Sequence, residues 1–119
     1  MSAISTHVLD TSQGRPAGGV PVTLEIGSAR GDDGAHTWEP HGGGETDADG
    51  RVRDLLPAGA ALAAATYRLT FDTGAYFSAR GVESFYPSVT VVFRIRDASQ
   101  HHHVPLLLSP YGYSTYRGS

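Results

Sequence analysis

Histidine and arginine carry most of the polar chemistry open to this chain. Six histidines are present, every basic residue is arginine, and cysteine is absent. Without cysteine there is no thiol or disulfide chemistry, and without lysine no lysine Schiff base. The densest cluster is His101, His102 and His103. Such a triple fits three things: an exposed strand end, a metal site, or a catalytic pair separated by a spacer. A metal needs two or three ligands converging on one point. Residues at i and i+2 of one strand face supply two, and His7 a third. No acidic residue nearby offers the support from behind that a metal-bound histidine commonly has, Asp97 being the closest candidate. As an acid or base, histidine titrates near neutral pH and serves in either role.

The direction of these side chains follows from the strands that carry them. Apolar residues alternate along "SVTVVFRIRD" and "HHHVPLLLS", so Val104, Leu106 and Leu108 share one face and His101, His103, Pro105 and Leu107 the other. Along "AISTHVLD", Ile4, Thr6 and Val8 lie together, which turns Ser5, His7 and Leu9 outward. His7 and His103 are therefore expected on outer sheet faces, among aliphatic residues, as at a pocket or a subunit interface. By the same alternation His102 points with the core residues.

The supporting framework is all-β. "VPVTLEI" and "TYRLTFD" alternate in the same way, placing Val20, Val22, Leu24 and Ile26 on one face and Tyr67, Leu69 and Phe71 on another. Turn residues punctuate these runs, Asp49-Gly50 among them. The spacing predicts a small antiparallel β-sandwich. The stretch from Gly27 to Gly44 reads as a long glycine-rich loop with a short strand around Trp38. "LPAGAALAAA" has no amphipathic stripe and is broken by Pro57 and Gly59, so it reads as loop. Asp72 or Thr73 as N-cap and Gly81 as stop predict one short helix over 74–80.

At 119 residues the chain suits one domain, residues 1–119, with one modest core. A net charge of -3 with interspersed signs shows no basic stripe for nucleic acid. No apolar run is long enough to span a bilayer, and "MSAISTHVLD" has neither the basic start nor the apolar segment of a signal peptide, so a cytoplasmic setting is expected. The lack of lysine hints at a GC-rich bacterial genome. "ETDADG" imitates the start of an EF-hand loop, but Leu56 stands where the closing glutamate belongs. No nucleophile elbow, P-loop or dinucleotide fingerprint is present.

Three segments read together: "STHVLDTSQGRPAGGVPVTLE", "TDADGRV" and "FYPSVTVVFRIRDASQHHHVPLLLSPYGYSTYRGS". Together they closely resemble the 5-hydroxyisourate hydrolases, the transthyretin-related enzymes of purine breakdown. The closing "YRGS" is the most specific element. The resemblance implies a transthyretin-like sandwich of two antiparallel four-stranded sheets with one short helix. It also implies a homotetramer built as a dimer of dimers, with active sites in the channel between dimers. It implies hydrolysis of 5-hydroxyisourate to 2-oxo-4-hydroxy-4-carboxy-5-ureidoimidazoline with no metal or other cofactor. Carried over residue by residue, His7, Arg51 and His103 are the catalytic trio, and Tyr116, Arg117, Gly118 and Ser119 line the substrate pocket. Two departures stand out. His102 occupies a position that is usually aromatic, and the Gly27–Gly44 stretch looks longer and richer in glycine.

Overall fold

In the computed structural model, residues 3–30 and 35–119 are described. Residues 31–34, including part of the Arg30–Asp32 tripeptide, lie outside them. The strands are β1 (Ile4–Asp10), β2 (Arg15–Pro16), β3 (Pro21–Arg30), β4 (Ala35–Glu45), β5 (Arg51–Val52), β6 (Ala65–Phe71), β7 (Val89–Ile95), β8 (His102–Ser109) and β9 (Gly112–Thr115). The helix α1 spans Thr73–Ser78. One sheet has the order β2-β1-β8-β9, with β5 also on β1; the other has the order β4-β3-β6-β7. This is the expected two-sheet, nearly all-β sandwich with one short helix. The first sheet has five strands where four were expected, because two short strands, β2 and β5, share one edge of β1.

Alternation works as anticipated on β1, β3, β6, β7 and β8. Ile4, Val8, Val104, Leu106 and Leu108 face Val22, Leu24, Tyr67, Leu69, Phe71, Val89 and Ile95 across the interior, all of them buried. Each such side chain removed from water contributes about 1.5–3 kcal/mol. Thr6, on the core side of β1, is buried too, and its hydroxyl donates to the Val104 carbonyl at 2.6 Å. That bond removes the cost of a buried unpaired polar group.

Two local features differ from the sequence reading. First, β1 and β8 run parallel, from Ile4 beside His102 to Asp10 beside Leu108, while every other pair is antiparallel. A parallel pair needs a crossover rather than a hairpin, and here most of the chain supplies it. Second, the stretch read as a long loop is largely strand: β3 and β4 pair from Pro21–Glu45 to Arg30–Ala35, with an irregularity after Leu24. Its glycines serve close packing. A side chain on Gly42 would collide with the Leu55 carbonyl, which accepts a hydrogen bond from Gly43 N–H at 2.9 Å. Leu55 N–H in turn donates to the Ile4 carbonyl at 2.7 Å, so this buried residue stitches the two sheets together.

The helix begins one residue earlier than expected and ends two earlier. Asp72 caps it, accepting from Ala75 N–H at 3.1 Å, and Gly81 turns the chain away with φ +67. Tyr76 reaches from α1 to the end of β1, where its hydroxyl donates to Asp10 Oδ2 at 2.7 Å. Burial alone would raise the Asp10 carboxyl. Hydrogen bonds from the Ser12 and Tyr76 hydroxyls and from the Gln13 and Ser12 amides outweigh it and hold the group below the ordinary 3.8. Burial, with the Asp10 contact second, pushes the Tyr76 phenol up to about 12.

Tyr76→Phe deletes one donor to a buried carboxylate and is expected to destabilise the fold by about 1–3 kcal/mol at neutral pH. Because Asp10 is held below its unfolded value, its contribution is complete above pH 3.8 and is lost as pH falls through the lowered value. The gap between wild type and variant in thermal unfolding should therefore be full at pH 7 and shrink toward pH 3.

Candidate active site

The site is built on the outer face of the β1–β8 sheet. Antiparallel pairing sets Arg51 of β5 directly beside His7 of β1. Parallel pairing on the other edge sets Ser5 beside His103 and His7 beside Pro105. Paired residues share a face, so Ser5, His7, Arg51 and His103 gather on one patch, with His101 two residues before His103. They open onto a cleft of about 290 Å³ whose lining includes Ser5, Arg51, Arg53, His101, His103 and Ser119. His7 borders it: its charge, with that of Arg51, acts on His103.

Arg51 owes its place to the turn before it. Asp47 Oδ1 accepts from the Asp49 and Arg51 amides at 2.9 and 3.0 Å, and Asp47 N–H donates to the Arg51 carbonyl at 3.0 Å. The Arg51 amide is the main influence holding the Asp47 carboxyl below its ordinary value. Gly50 adopts φ +75, where a side chain would collide with the Val8 carbonyl. The Gly50 carbonyl accepts from Val8 N–H at 2.7 Å, which locks the turn onto β1. The aspartates of the EF-hand-like segment thus organise a turn.

His103 is half-buried. Ser5 Oγ lies 2.8 Å from His103 Nδ1 and 2.8 Å from His101 Nε2. Burial is the main cause lowering the His103 pKa below the ordinary 6.5. The positive neighbours Arg51, His7 and His101 add to it, and the Ser5 backbone opposes it. Burial and these cations favour the neutral ring, with Nδ1 engaged by Ser5 and Nε2 unbonded within the described residues. Among those residues no three His, Asp or Glu side chains converge as a metal-holding group.

The tail is held. After the turn at Ser109–Gly112, β9 pairs with β8, Thr115 Oγ1 donates to the Pro105 carbonyl at 2.7 Å, and Gly118 N–H donates to the His103 carbonyl at 2.8 Å. Gly118 passes so close that a Cβ there would lie 2.6 Å from His103 Cδ2 and 3.3 Å from Pro105 Cγ. Only glycine lets the tail cross the imidazole, and the crossing delivers Ser119 to the cleft. Tyr116 and Arg117 take the opposite flank. Tyr116 lines a more apolar cleft with Val91, Phe93, Val104 and Thr115 that His103 backs from behind. Arg117 donates to Gln100 Oε1 at 2.9 Å, beside Arg94, Arg96 and the buried His102. Burial is the first cause lowering the His102 pKa, the Arg117 charge the second.

Of the seven residues expected at the site, the chain brings His7, Arg51, His103, Gly118 and Ser119 together, and sets Tyr116 and Arg117 behind them. Ser5, which was not singled out, and His101, which was weighed only as a metal ligand or strand end, join the cleft. Both were already assigned to the outer face by alternation, but a serine on a sheet face carries no signal of its own. The cleft holds guanidinium, imidazole and hydroxyl groups and no Asp or Glu side chain among its lining residues. Such a lining suits a polar or anionic guest and an acid–base reaction that generates negative charge.

Known proteins resemble this chain along nearly its whole length. A probable 5-hydroxyisourate hydrolase of Caenorhabditis elegans is 52% identical over 118 residues, 99% of this chain and 82% of the relative. The solved 5-hydroxyisourate hydrolase of Klebsiella pneumoniae superposes with a TM-score of 0.80 at 41% identity, covering 100% of this chain and 94% of that one. Sea bream transthyretin in complex with thyroxine superposes with a TM-score of 0.83 at 33% identity, covering 97% and 93%. Relatives thus come from animals and bacteria alike. The family model described as HIUase/Transthyretin matches residues 4–118, and over that span the protein belongs to the HIUase/Transthyretin family.

Proposed function

We propose that the chain hydrolyses 5-hydroxyisourate, opening its six-membered ring to give 2-oxo-4-hydroxy-4-carboxy-5-ureidoimidazoline in urate degradation. The observation that carries this reading is the half-buried His103 imidazole facing the same cleft as Arg51, against a tail glycine whose Cβ would meet the ring. The two hydrolases just described are named for this substrate, and they match nearly the whole chain.

The chemistry asks for what the cleft offers. Water is a poor nucleophile, and an amide nitrogen leaves poorly unless protonated. His103 Nε2 takes a proton from water, the role a neutral imidazole is suited to. Attack places negative charge on the former carbonyl oxygen. Arg51 meets it with a guanidinium whose charge is permanent and whose donors are fixed in a plane. His7, paired with Arg51 across β1 and β5, holds the opposite side of the reacting centre. Ser119 offers a hydroxyl to the substrate's polar rim. Tyr116 and Arg117 hold the tail from behind within one chain, and complete the pocket walls in the assembled channel.

On this reading the enzyme works in the cytoplasm as a homotetramer, a dimer of dimers, without metal or other cofactor. Support for assembly lies at the sheet edges. Among the described residues β7 and β9 have no outer neighbour, Val92 and Tyr113 on them are exposed, and Phe85 and Tyr86 extend the apolar rim. No helix among the described residues is long and apolar enough to cross a membrane.

The direct test is decay of freshly made 5-hydroxyisourate in EDTA. Wild type is expected to accelerate it. His103→Ala should lose about 10²- to 10⁴-fold in rate and Arg51→Ala roughly 10²- to 10³-fold; full activity in both variants rejects the site. Thyroxine-like aromatics bound tightly without turnover of 5-hydroxyisourate would instead indicate a carrier.

The tail supplies a second test. Gly118→Ala pushes the His103 ring aside and should fold normally while losing most activity. Deleting Tyr116 to Ser119 should do the same; normal turnover by either variant removes the tail from the site.

Acid pH supplies a third. With His103 held below 6.5, kcat/KM should rise with pH through an inflection below that value and then level. In Arg51→Gln a neighbouring cation is gone, so His103 should titrate at higher pH, read by histidine NMR. An unchanged titration would remove Arg51 from its surroundings.

A further inference from the structure

A serine hydroxyl has one hydrogen to give and two lone pairs to receive. Ser5 Oγ sits 2.8 Å from ring nitrogens of both His101 and His103, so it can donate to only one of them. The two imidazoles are thereby tied. When Ser5 donates to His101 Nε2, it accepts from His103 Nδ1–H, and His103 Nε2 is bare. When His101 Nε2–H donates to Ser5, Ser5 donates to His103 Nδ1, and His103 Nε2 carries the hydrogen. The first arrangement is a base and the second an acid. The chain of three runs from the half-buried His103 through the buried Ser5 to His101, which is exposed.

The surroundings of His103 give this chain a purpose. The groups facing it are His7 of β1, Arg51 of β5 and Arg53 just after it, His101 just before β8, and Gly118 and Ser119 of the tail. None is an aspartate or glutamate side chain. In a Ser-His-Asp triad a buried carboxylate stabilises the imidazolium that forms. Here an imidazolium would stand among guanidinium groups.

We propose that His101, Ser5 and His103 form a proton relay that turns His103 from base into acid within one turnover. The proposal rests on the hydrolytic reading above. As His103 Nε2 takes a proton from the attacking water, its Nδ1 proton passes to Ser5 Oγ and the Ser5 proton passes to His101 Nε2. His103 is then neutral with hydrogen on Nε2, and the positive charge has moved to His101 at the solvent edge. When Nε2 gives its proton to the departing ring nitrogen, both transfers reverse: His101 returns a proton to Ser5, and Ser5 returns one to His103 Nδ1. Water has lost one proton, the leaving nitrogen has gained one, and the three side chains are restored. Ser5 and His101 act through His103 and are positioning residues.

A proton inventory of kcat in mixtures of light and heavy water tests this, with wild type, Ser5→Ala, Ser5→Thr and His101→Gln. Wild type should give a curved plot, because several protons move together. Ser5→Ala should give a straight line, with kcat down about 10- to 100-fold, less than the 10²- to 10⁴-fold range for deleting an acid or base outright, and KM little changed. Ser5→Thr keeps the hydroxyl and should restore curve and rate. The carbonyl of Gln in His101→Gln accepts the Ser5 hydrogen but cannot take up a proton. That exposed substitution should fold, keep KM and give a straight line. A straight line in wild type, or wild-type kcat in Ser5→Ala or His101→Gln, overturns the relay. ¹⁵N NMR of histidine-labelled resting protein separates this from the choice of substrate. His103 should carry its hydrogen on Nδ1 in wild type and lose that preference in Ser5→Ala. An absent preference in wild type overturns the relay whether or not 5-hydroxyisourate is turned over.

Discussion

The parallel pairing of β1 with β8 is the contact on which the rest depends. It joins residues 4–10 to residues 102–108 and buries Ile4, Val8, Val104, Leu106 and Leu108 on one side. On the other side it sets Ser5 against His103. A slip of one residue would send every core side chain into solvent and turn the histidines inward. The apolar face therefore fixes the polar one. The stability of the register comes from the core, and the geometry of the cleft follows from it.

Two turns complete what that pairing begins, and each relies on a glycine. Gly50 brings Arg51 onto the free edge of β1, and Gly118 brings the tail across His103. At both positions a methyl group would meet an atom of the site's own framework, the Val8 carbonyl in one case and the His103 ring in the other. The cleft is thus shaped from three separate stretches of chain, all fastened to one pair of strands.

Much of this was legible in the residues, because alternation has only one solution on a half-buried strand. The faces of β1, β3, β6, β7 and β8, the outward direction of His7 and His103, and the inward one of His102 all follow from it. The short helix was readable from Asp72 and Gly81 because caps carry local chemistry. What escaped has a common physical cause: the decisive partner lies far away in sequence. β4 looked like a loop because glycine, proline and histidine are poor strand formers in isolation. Gly42 is there for Leu55, which approaches from another part of the chain. The parallel direction of β1 and β8 cannot be read from either strand alone. Ser5 became conspicuous only when the register set it between two imidazoles, and the opposed directions of Arg117 and Gly118 only when the tail was seen to run on beside β8 as far as His103.

The distance in sequence between the halves of the site has a kinetic meaning. β3, β4, β6 and β7 form a sheet from antiparallel neighbours, two of whose three pairs are consecutive along the chain. Ser5 and His103 are 98 residues apart, and closing a loop of that length costs chain entropy before any contact rewards it. The second sheet is therefore the natural one to close last, and with it the cleft. Intermediates with one sheet formed would have a core and no acid–base centre, so the appearance of activity during refolding would mark the final long-range closure rather than the first collapse.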